Sequence, residues 1–265
     1  MLKNKRSKII IITGGLGLLG KQFVKTLAND NHIPIILDKK SKKEINSFVI
    51  KSKNNNNLID GYHIDITNEK KVKKLSSKIF NKYKKIDILI NNAANNPIVR
   101  KKNKSFKNTD IENFSLDNWN NDIKAGLTGS FLVTKYFGKF INKNKNGGSI
   151  INISSDLGLI SPDQRLYSKK QKKPISYSVV KSGILGLNKY FSTYWPKKIR
   201  SNALCFGGVL NNQNKNFLKK VNKLIPMGRL AYSYEYNGII SFLCSDNSTY
   251  LNGSVITVDG GRTSW

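Results

Sequence analysis

Tyr177 and Lys181 lie four residues apart in the stretch ISYSVVKSG, which has the character of a helix. Residues i and i+4 of a helix lie on one face, so both side chains can reach one point. A lysine ammonium group near a phenol favours the phenolate and lowers the tyrosine pKa. The pair could therefore act as a general acid and base near neutral pH, although the same spacing also arises in ordinary amphipathic helices.

A glycine-rich turn follows the first predicted strand. The strand is the run KIIIIT at 8–13, and Gly15, Gly17 and Gly20 then have the spacing G-x-G-x-x-G in the segment TGGLGLLG. Glycines there allow a tight turn and let the backbone approach a pyrophosphate, which binds at the N-terminus of the next helix. Because the motif lies between a strand and a helix, it predicts dinucleotide binding ahead of a purely structural turn.

Asp38 ends the second predicted strand, IPIILD at 33–38. A carboxylate at this place can accept hydrogen bonds from both ribose hydroxyls of NAD, and it repels the 2′-phosphate of NADP. It therefore predicts NAD as the preferred cofactor. NADP is the alternative, because Lys39 and Lys40 follow directly and can weaken that preference; Asp38 can also be a solvated strand end without a ligand.

Strands and helices alternate along the rest of the chain. Strand patterns occur at 58–65, 86–93 and 148–155 and in IRSNALCF and SVITVDGG, and helical patterns lie between them, including a long helix at about 115–141. This order predicts the α/β class, with one doubly wound parallel sheet of about seven strands and helices on both faces. No repeat or change of composition divides residues 1–265, so we expect a single Rossmann-type domain.

The composition is strongly basic. Lys and Arg number 46 against 16 Asp and Glu in 265 residues, which gives a formal net charge of +30. Such a charge can indicate nucleic-acid binding, but the lysines are spread from Lys3 to Lys223 and asparagine is abundant too. We therefore interpret it as a drift of the whole composition and expect no nucleic-acid partner. The positive field should still attract anionic small molecules such as nucleotides and sugar phosphates.

The cysteines and histidines show no metal-binding pattern. Cys205 and Cys244 lie in apolar surroundings without ligand spacing, and His32 and His63 have no partner cluster. We expect buried free thiols in a reducing compartment and no metal. The N-terminal segment has basic residues and a short apolar run but no cleavage pattern, and no stretch is long enough to span a membrane. These features predict a cytoplasmic protein without membrane contact.

Several short motifs follow one another at predicted strand ends. They are TGGLGLLG, DIT at 65–67, NNAA at 91–94, NISS at 152–155, YSVVK at 177–181, GG at 207–208 and VDGG at 258–261. Each motif is loose alone, but together and in this order they resemble the short-chain dehydrogenase/reductase family over nearly the whole chain. The resemblance implies an NAD(P)-dependent oxidoreductase that interconverts a secondary alcohol and a ketone.

The resemblance also implies roles for individual residues. Tyr177 would be the general acid and base on the substrate oxygen, Lys181 would lower its pKa and hold the nicotinamide ribose, and Ser155 would hydrogen-bond the substrate oxygen. The cofactor would lie along the glycine turn and the strand ends. The predicted cofactor-binding residues are Gly14, Gly15, Gly17, Leu18, Leu19, Asp38, Asp65, Ile66, Asn91, Ala93, Tyr177, Lys181, Gly207 and Val209.

Three positions depart from the family pattern. The family usually has an asparagine in the long helix, where it supports a water relay to the lysine, and here that position is Gly126. Phe206 stands where the family usually has proline, and Leu18 stands where the short members have glycine. Gly126 and Phe206 leave a second hypothesis open, a non-catalytic dinucleotide-binding sensor or scaffold, although the serine, tyrosine and lysine are all retained.

Two loops at about 95–114 and 156–175 should face the same cleft. The second contains Asp156, Gln164 and Arg165, which we predict as substrate contacts: Arg165 can clamp a phosphate or carboxylate, and Asp156 can bind sugar hydroxyls. A surface loop cation is an equal alternative for Arg165. The segments SDLGLISPDQRLY and DGGRTSW resemble a subgroup associated with flagellin modification and legionaminic-acid-type sugar pathways. This resemblance implies a sugar-like anionic substrate (a nucleotide sugar or sugar phosphate), and the family implies a homodimer or homotetramer.

Overall fold

A single parallel sheet organises the molecule. The computed structural model describes residues 7–52, 58–96, 109–167 and 171–265. Within them every neighbouring pair of strands is parallel. The strands are β1 Ile9–Thr13, β2 Ile33–Asp38, β3 Asp60–His63, β4 Ile88–Asn91, β5 Gly148–Ser155, β6 Ile199–Phe206 and β7 Val255–Val258. This is the doubly wound sheet that the alternating pattern predicted.

The strand order creates a crevice at one edge of the sheet. The order is β3-β2-β1-β4-β5-β6-β7, so the chain builds outward from β1 in one direction and then returns to build the other half from β4. The connections that leave β1 and β4 therefore diverge, and open α/β sheets bind ligands in the crevice between them. The glycine turn after β1 and the NNAA segment after β4 face each other there.

Helices cover both faces of the sheet. In the described ranges the α-helices are α1 Leu18–Asn29, α2 Lys42–Ser52, α3 Glu69–Tyr83, α4 Leu116–Ile123, α5 Gly129–Ile141, α6 Ile175–Tyr194, α7 Lys215–Val221 and α8 Asn237–Cys244. Side chains of β1 alternate between the two layers. Ile10 and Ile12 pack in a cluster with α1 and α8, whereas Ile9 and Ile11 pack in a second cluster with α3 and α5. All four isoleucines are buried, which explains why β1 is apolar throughout.

The predicted long helix at about 115–141 is divided into two. One turn of π-helix at Lys124–Thr128 joins α4 to α5. A π turn inserts an extra residue into the helical repeat, and such turns are frequent at functional sites. Gly126 lies in the middle of this turn, which packs against α6.

Parts of the two predicted substrate loops fall outside the described residues. These parts are 97–108 in the first loop and 168–170 in the second. Of the described loop residues, Asn95 and Asn96 in the first loop and several in the second, including Asp156, Tyr167 and Lys173, line a cavity at the carboxyl edge of the sheet. In the described part of the chain, no helix has the length and apolar character needed to cross a bilayer.

Candidate active site

A cavity of about 790 Å³ opens at the carboxyl ends of the central strands, where the topology predicts a ligand. Most of the residues predicted for cofactor, catalysis and substrate line it. These are Gly14, Gly17, Leu18, Leu19, Asp38, Asp65, Ile66, Ala93, Ser155, Asp156, Tyr177, Lys181, Gly207 and Val209.

The glycine turn borders one end of this cavity. Gly14 has a φ of +62°, and a Cβ there would lie 2.9 Å from Ala93 Cα. Gly17 is the N-cap of α1, and its N–H donates to the Gly14 carbonyl at 2.9 Å. A Cβ on Gly20 would overlap the backbone of Gly14 and Gly15. A side chain is therefore excluded at Gly14 and Gly20, and the shape of the turn suits the close approach of a pyrophosphate to the N-terminus of α1.

Asn92 and Thr13 attach the glycine turn to the end of β4. The Asn92 side-chain amide donates to the carbonyls of Thr13 and Gly14, both at 3.0 Å. The Thr13 hydroxyl accepts from the backbone N–H groups of Asn92 and Ala93, also at 3.0 Å. The asparagine predicted for the cleft was the preceding residue, Asn91, whereas Asn92 is the one that contacts the glycine turn. The doubled asparagine in the sequence was the signal that either residue could do so.

Asp38 ends β2 at the edge of the cavity and is only 7% exposed. Its Oδ2 accepts from the Leu16 N–H at 2.8 Å, and its Oδ1 accepts from the Lys40 N–H at 3.0 Å. The carboxylate thus also fixes the start of the glycine turn. Lys39 and Lys40 line the cavity beside it, so positive charge lies close to the acid.

Ser155, Tyr177 and Lys181 lie together where α6 passes the end of β5. Lys181 Nζ donates to the Ile153 carbonyl at 2.9 Å and lies 5.7 Å from the centre of the Tyr177 ring. The Ser154 hydroxyl donates to the Lys181 carbonyl at 2.7 Å, which fixes α6 to β5. The four-residue spacing places the tyrosine and lysine on one face of α6, as predicted.

Burial changes the proton affinity of all these groups. It raises the pKa of Tyr177 to about 12, against a hydrogen bond with Ser155 that lowers it, and the Asp156 carboxylate raises it further. Burial lowers the pKa of Lys181 to about 8. The Ser155 hydroxyl donates to Asp156 Oδ1 at 2.6 Å, and burial raises the pKa of that carboxyl group. In the free protein Tyr177 therefore keeps its proton at neutral pH, while the neighbouring Lys181 loses its proton close to pH 8.

A side chain of the neighbouring helix α6 occupies the space beside Gly126. A Cβ at Gly126 would overlap Cγ1 of Val180, a residue of α6 that is 4% exposed. The Gly126 carbonyl accepts from the Ser130 hydroxyl at 2.7 Å. An asparagine side chain has no room here, so the missing asparagine noted in the sequence is explained by steric competition with Val180.

Two residues predicted to bind the cofactor face the core instead of the cavity. Gly15 packs on β2, where a Cβ would lie 2.9 Å from Ile36 Cγ2. Asn91 is 3% exposed, and its side-chain amide donates to Thr134 Oγ1 at 3.0 Å and to Asn152 Oδ1 at 2.9 Å. Because side chains alternate along a strand, the amide of Asn91 points away from the face that the next residue reaches.

Two residues predicted to bind substrate, Gln164 and Arg165, also do not line the cavity. Gln164 Oε1 accepts from the Lys173 N–H at 3.2 Å. The Arg165 guanidinium donates to both carboxylate oxygens of Asp163, at 3.0 and 2.9 Å, and its side chain is 88% exposed. The alternative of a surface loop cation therefore fits Arg165 better than a substrate clamp.

Lys173 and Arg262 also line the cavity, although neither was among the predicted site residues. Lys173 lies directly beside Tyr177. Arg262 follows β7 in a turn held by Asp259, whose carboxylate accepts from the Thr263 N–H at 2.9 Å and the Thr263 hydroxyl at 2.7 Å. The only sequence signals were the basic segment before α6 and the arginine after the last glycine pair.

The cysteines and acidic residues form no metal site in the described ranges. No group of three or more His, Cys, Asp and Glu side chains occurs there in a ligand-like arrangement. Cys205 and Cys244 are both free and buried.

Comparisons with known proteins agree on one kind of enzyme. Residues 19–263 match the family model described as Enoyl-(Acyl carrier protein) reductase. The 3-oxoacyl-[acyl-carrier-protein] reductase FabG of Buchnera aphidicola is 32% identical over 262 residues, covering 96% of both chains. The Post-translational flagellin modification protein A of Campylobacter coli is 29% identical, covering 98% of this chain and 99% of that protein. A short chain dehydrogenase from Leptospira borgpetersenii, solved with bound NAD+, superposes with a TM-score of 0.81 at 28% identity, covering 99% and 97%.

Proposed function

This chain belongs to the short-chain dehydrogenase/reductase family, and we propose that it interconverts a secondary alcohol and a ketone on a polar, anionic, sugar-like molecule. The observation that carries the proposal is the convergence of Ser155, Tyr177 and Lys181 in the same cavity as the glycine turn. A proton-transferring group and a dinucleotide cradle within one cleft are the two parts that this reaction needs.

The cavity suits a nicotinamide dinucleotide. A Cβ at Gly14 or Gly20 would overlap neighbouring backbone atoms, and the N-terminus of α1 lies beside this turn, so the site suits a pyrophosphate. A dinucleotide bound in this cleft supplies or accepts the hydride. We propose NAD as the preferred form because Asp38 lies at the ribose end, with Lys39 and Lys40 acting against that preference.

Tyr177 acts as the general acid and base in this proposal. In reduction its phenol donates a proton to the substrate oxygen, and the resulting phenolate is stabilised by the Lys181 ammonium group. In oxidation the phenolate accepts the proton of the substrate hydroxyl. Because burial raises the pKa of Tyr177 to about 12, the proton that reduction needs is in place at neutral pH, whereas oxidation first requires its loss. Ser155 would hydrogen-bond the same oxygen.

An anionic substrate is supported by the charges around Tyr177. Lys173 and Arg262 line this end of the cavity, and neither was part of the original argument for an anion. A guanidinium group can hold a phosphate or carboxylate through two parallel hydrogen bonds. Asp156 lies next to Ser155 and can accept hydrogen bonds from sugar hydroxyls. The flagellin-modification relative is consistent with a sugar-like substrate. The relative that is an acyl-carrier-protein reductase has a different substrate, so membership of the family does not by itself identify the substrate of this chain.

We propose that the chain works as a single domain in a homodimer or homotetramer in the cytoplasm. Apolar side chains near the C-terminus are exposed in the isolated chain, including Tyr250, Val255 and Trp265. Their burial against a neighbouring copy would remove apolar surface from water. The two buried free thiols are those of a protein kept in a reducing compartment.

The test follows the absorbance of reduced nicotinamide with NAD or NADP and a panel of nucleotide sugars, sugar phosphates and neutral polyols. Tyr177→Phe should lose on the order of 10²- to 10⁴-fold in turnover while its NADH affinity stays almost intact, because the phenol transfers a proton and the ring remains. Tyr190→Phe, an exposed tyrosine of the same helix, is the matched control and should keep full activity.

Two outcomes would count against the proposal. Full turnover in Tyr177→Phe would remove Tyr177 as the acid and base. No absorbance change with any substrate of the panel, together with intact NADH binding, would favour the second candidate, a non-catalytic dinucleotide-binding protein. The packing of Val180 against the Gly126 position also favours this candidate.

A further inference from the structure

A second lysine, Lys173, lies closer to the Tyr177 ring than Lys181 does. Lys173 Nζ is 3.7 Å from the centre of the ring, compared with 5.7 Å for Lys181 Nζ. The Lys173 residue is only 9% exposed and lines the same cavity. A buried ammonium group directly over an aromatic ring is an uncommon arrangement, because burial of a charge is costly without compensation.

Specific contacts hold Lys173 in this place. Its Nζ donates to Asn96 Oδ1 at 2.9 Å, and its backbone N–H donates to Gln164 Oε1 at 3.2 Å. Pro174 follows and is the N-cap of α6, so its ring restricts the backbone immediately before the helix that carries Tyr177. Asn96 therefore holds the ammonium group, while Gln164 and Pro174 hold the backbone of Lys173.

We propose that Lys173 is a positioning residue for Tyr177, whose ring it holds and whose phenolate it stabilises. The face of a neutral aromatic ring already attracts a cation. When the phenol loses its proton, negative charge spreads into the ring, and the attraction to a cation above the ring becomes stronger. Lys173 therefore favours the ionised form of Tyr177 over the neutral form.

The charges around the pair decide when Lys173 can act. Burial lowers its pKa to about 8, the Asp156 carboxylate opposes this, Lys181 lowers it further and Asp122 opposes it. Lys173 is therefore mostly protonated at pH 7 and loses its charge as the pH rises through about 8. The titratable and charged groups that face Lys173 and Tyr177 from the surrounding elements are Asp122, Asp156, Tyr167, Lys181, Tyr236 and Arg262.

The polar group beside Tyr177 comes from the loop before α6 and not from the helix position where the family usually has an asparagine. At Gly126 the π turn offers no side chain, and the adjacent space is occupied by the apolar Val180. Lys173 and Asn96 approach from the loops on the substrate side of the cavity. In this chain the electrostatic support of the phenol thus comes partly from the loop that precedes α6.

The test measures the ionisation of residue 177 directly in the full-length chain. 2,3,5-Trifluorotyrosine, a more acidic phenol, replaces Tyr177, and its titration is followed by fluorine NMR with and without NAD+. Lys173→Met should raise the titration midpoint by roughly one to three pH units, since it removes a cation from within about 4–6 Å. Lys173→Arg should keep the midpoint close to the parent value because the charge is retained.

Lys172→Met is the matched control. The side chain of Lys172 does not line the cavity, although the residue is the chain neighbour of Lys173. The substitution removes the same charge at that position, so the titration midpoint should not move. An unchanged midpoint in Lys173→Met would overturn the proposal, and so would an equal shift in Lys172→Met. If Lys173→Met fails to unfold cooperatively, Asn96→Ala carries the test: it releases the ammonium group and should raise the midpoint by a smaller amount, and no shift would overturn the proposal.

This role of Lys173 rests on the proposed function only where it assumes that Tyr177 transfers a proton to substrate. The fluorine titration needs no substrate and no turnover. A midpoint shift together with full activity of Tyr177→Phe would leave Lys173 as the electrostatic partner of Tyr177 and reject the catalytic role. Loss of activity in Tyr177→Phe without a midpoint shift in Lys173→Met would do the opposite.

Discussion

Tyr177 is placed between two opposing physical effects. Burial and the Asp156 carboxylate favour the neutral phenol and raise its pKa. Lys173 and Lys181 lie 3.7 and 5.7 Å from the centre of the ring, where a cation favours the phenolate. The same burial lowers the pKa of Lys173 and of Lys181 to about 8, so their support fades in alkaline solution. In the proposed reaction, the positive charge of an oxidised nicotinamide ring beside Tyr177 would favour the loss of its proton, whereas a bound anion would oppose it.

Asp38 is the residue from which we predict cofactor selectivity. Asp38→Asn keeps hydrogen-bonding atoms at the end of β2 but removes the negative charge. The repulsion of a 2′-phosphate should fall, so we expect the ratio of NADPH to NADH affinity to increase by roughly tenfold, or about 1.4 kcal/mol. Fluorescence titration with both reduced cofactors measures the ratio.

Asp65→Asn is the control for Asp38, because Asp65 is a second acid in the lining of the same cavity. It should leave the ratio unchanged if the charge that discriminates is at the end of β2. An unaltered ratio in Asp38→Asn would instead assign selectivity to Lys39 or Lys40, which lie beside it.

At the scale of elements, the π turn packs closely against α6 beside the site. Gly126→Ala would place a methyl group against Val180 Cγ1 inside a filled interior. We expect a loss of about 1–3 kcal/mol in the free energy of unfolding, measured by chemical denaturation. Combining Gly126→Ala with Val180→Ala should recover part of that loss, because the smaller side chain relieves the overlap.

Gly186 provides a matched control for this overpacking. It lies in α6, and a Cβ built there meets nothing within 4 Å. Gly186→Ala should therefore be neutral or stabilise the protein by roughly 0.5–1 kcal/mol, since alanine restricts the unfolded chain and favours the helix. Equal destabilisation by Gly126→Ala and Gly186→Ala would contradict the steric explanation.

The polar interior is a second feature at this scale. Asn91, Asn152, Asn188 and Ser201 hydrogen-bond one another between β4, β5, β6 and α6. All four side chains are buried, and apart from Asn91 Oδ1, which has no partner, their hydrogen bonds tie together the elements that contain them. It therefore supports the strand that ends at Ser155 and the helix that carries Tyr177, without reaching the cavity itself.

At the scale of the whole molecule, the net charge of +30 opposes compactness. Like charges repel across the surface, and dissolved salt screens them. We expect the melting temperature to rise when NaCl is increased from about 0.05 to about 0.5 M. A gain of about 1 kcal/mol would correspond to roughly 2–4 °C for a chain of this size, measured by differential scanning calorimetry.

A non-ionic osmolyte is the control for the salt experiment, because it stabilises folded proteins by exclusion without screening charge. A fall in melting temperature with NaCl would mean that favourable ion pairs outweigh the net repulsion. The described residues contain such pairs, for example Lys82 with Asp60 at 2.8 Å and Lys8 with Asp246 at 2.6 Å.

The sequence by itself determined the parts of this protein that depend on local spacing. The glycine turn, the position of Asp38 at a strand end and the pairing of Tyr177 with Lys181 all follow from neighbours within a few residues. The carboxyl-end rule for parallel sheets then predicts that these segments meet at one edge. That is why the fold and most of the cavity lining could be predicted without coordinates.

Only the tertiary structure decided which loop side chains reach the cavity. Lys173 and Arg262 enter it while Arg165 turns to Asp163, because the direction of an irregular segment depends on distant contacts such as Lys173 with Asn96. The choice between Asn91 and Asn92 likewise depends on strand register, since a shift of one residue reverses the side chain. Such contacts join residues far apart in sequence, so no local pattern contains them.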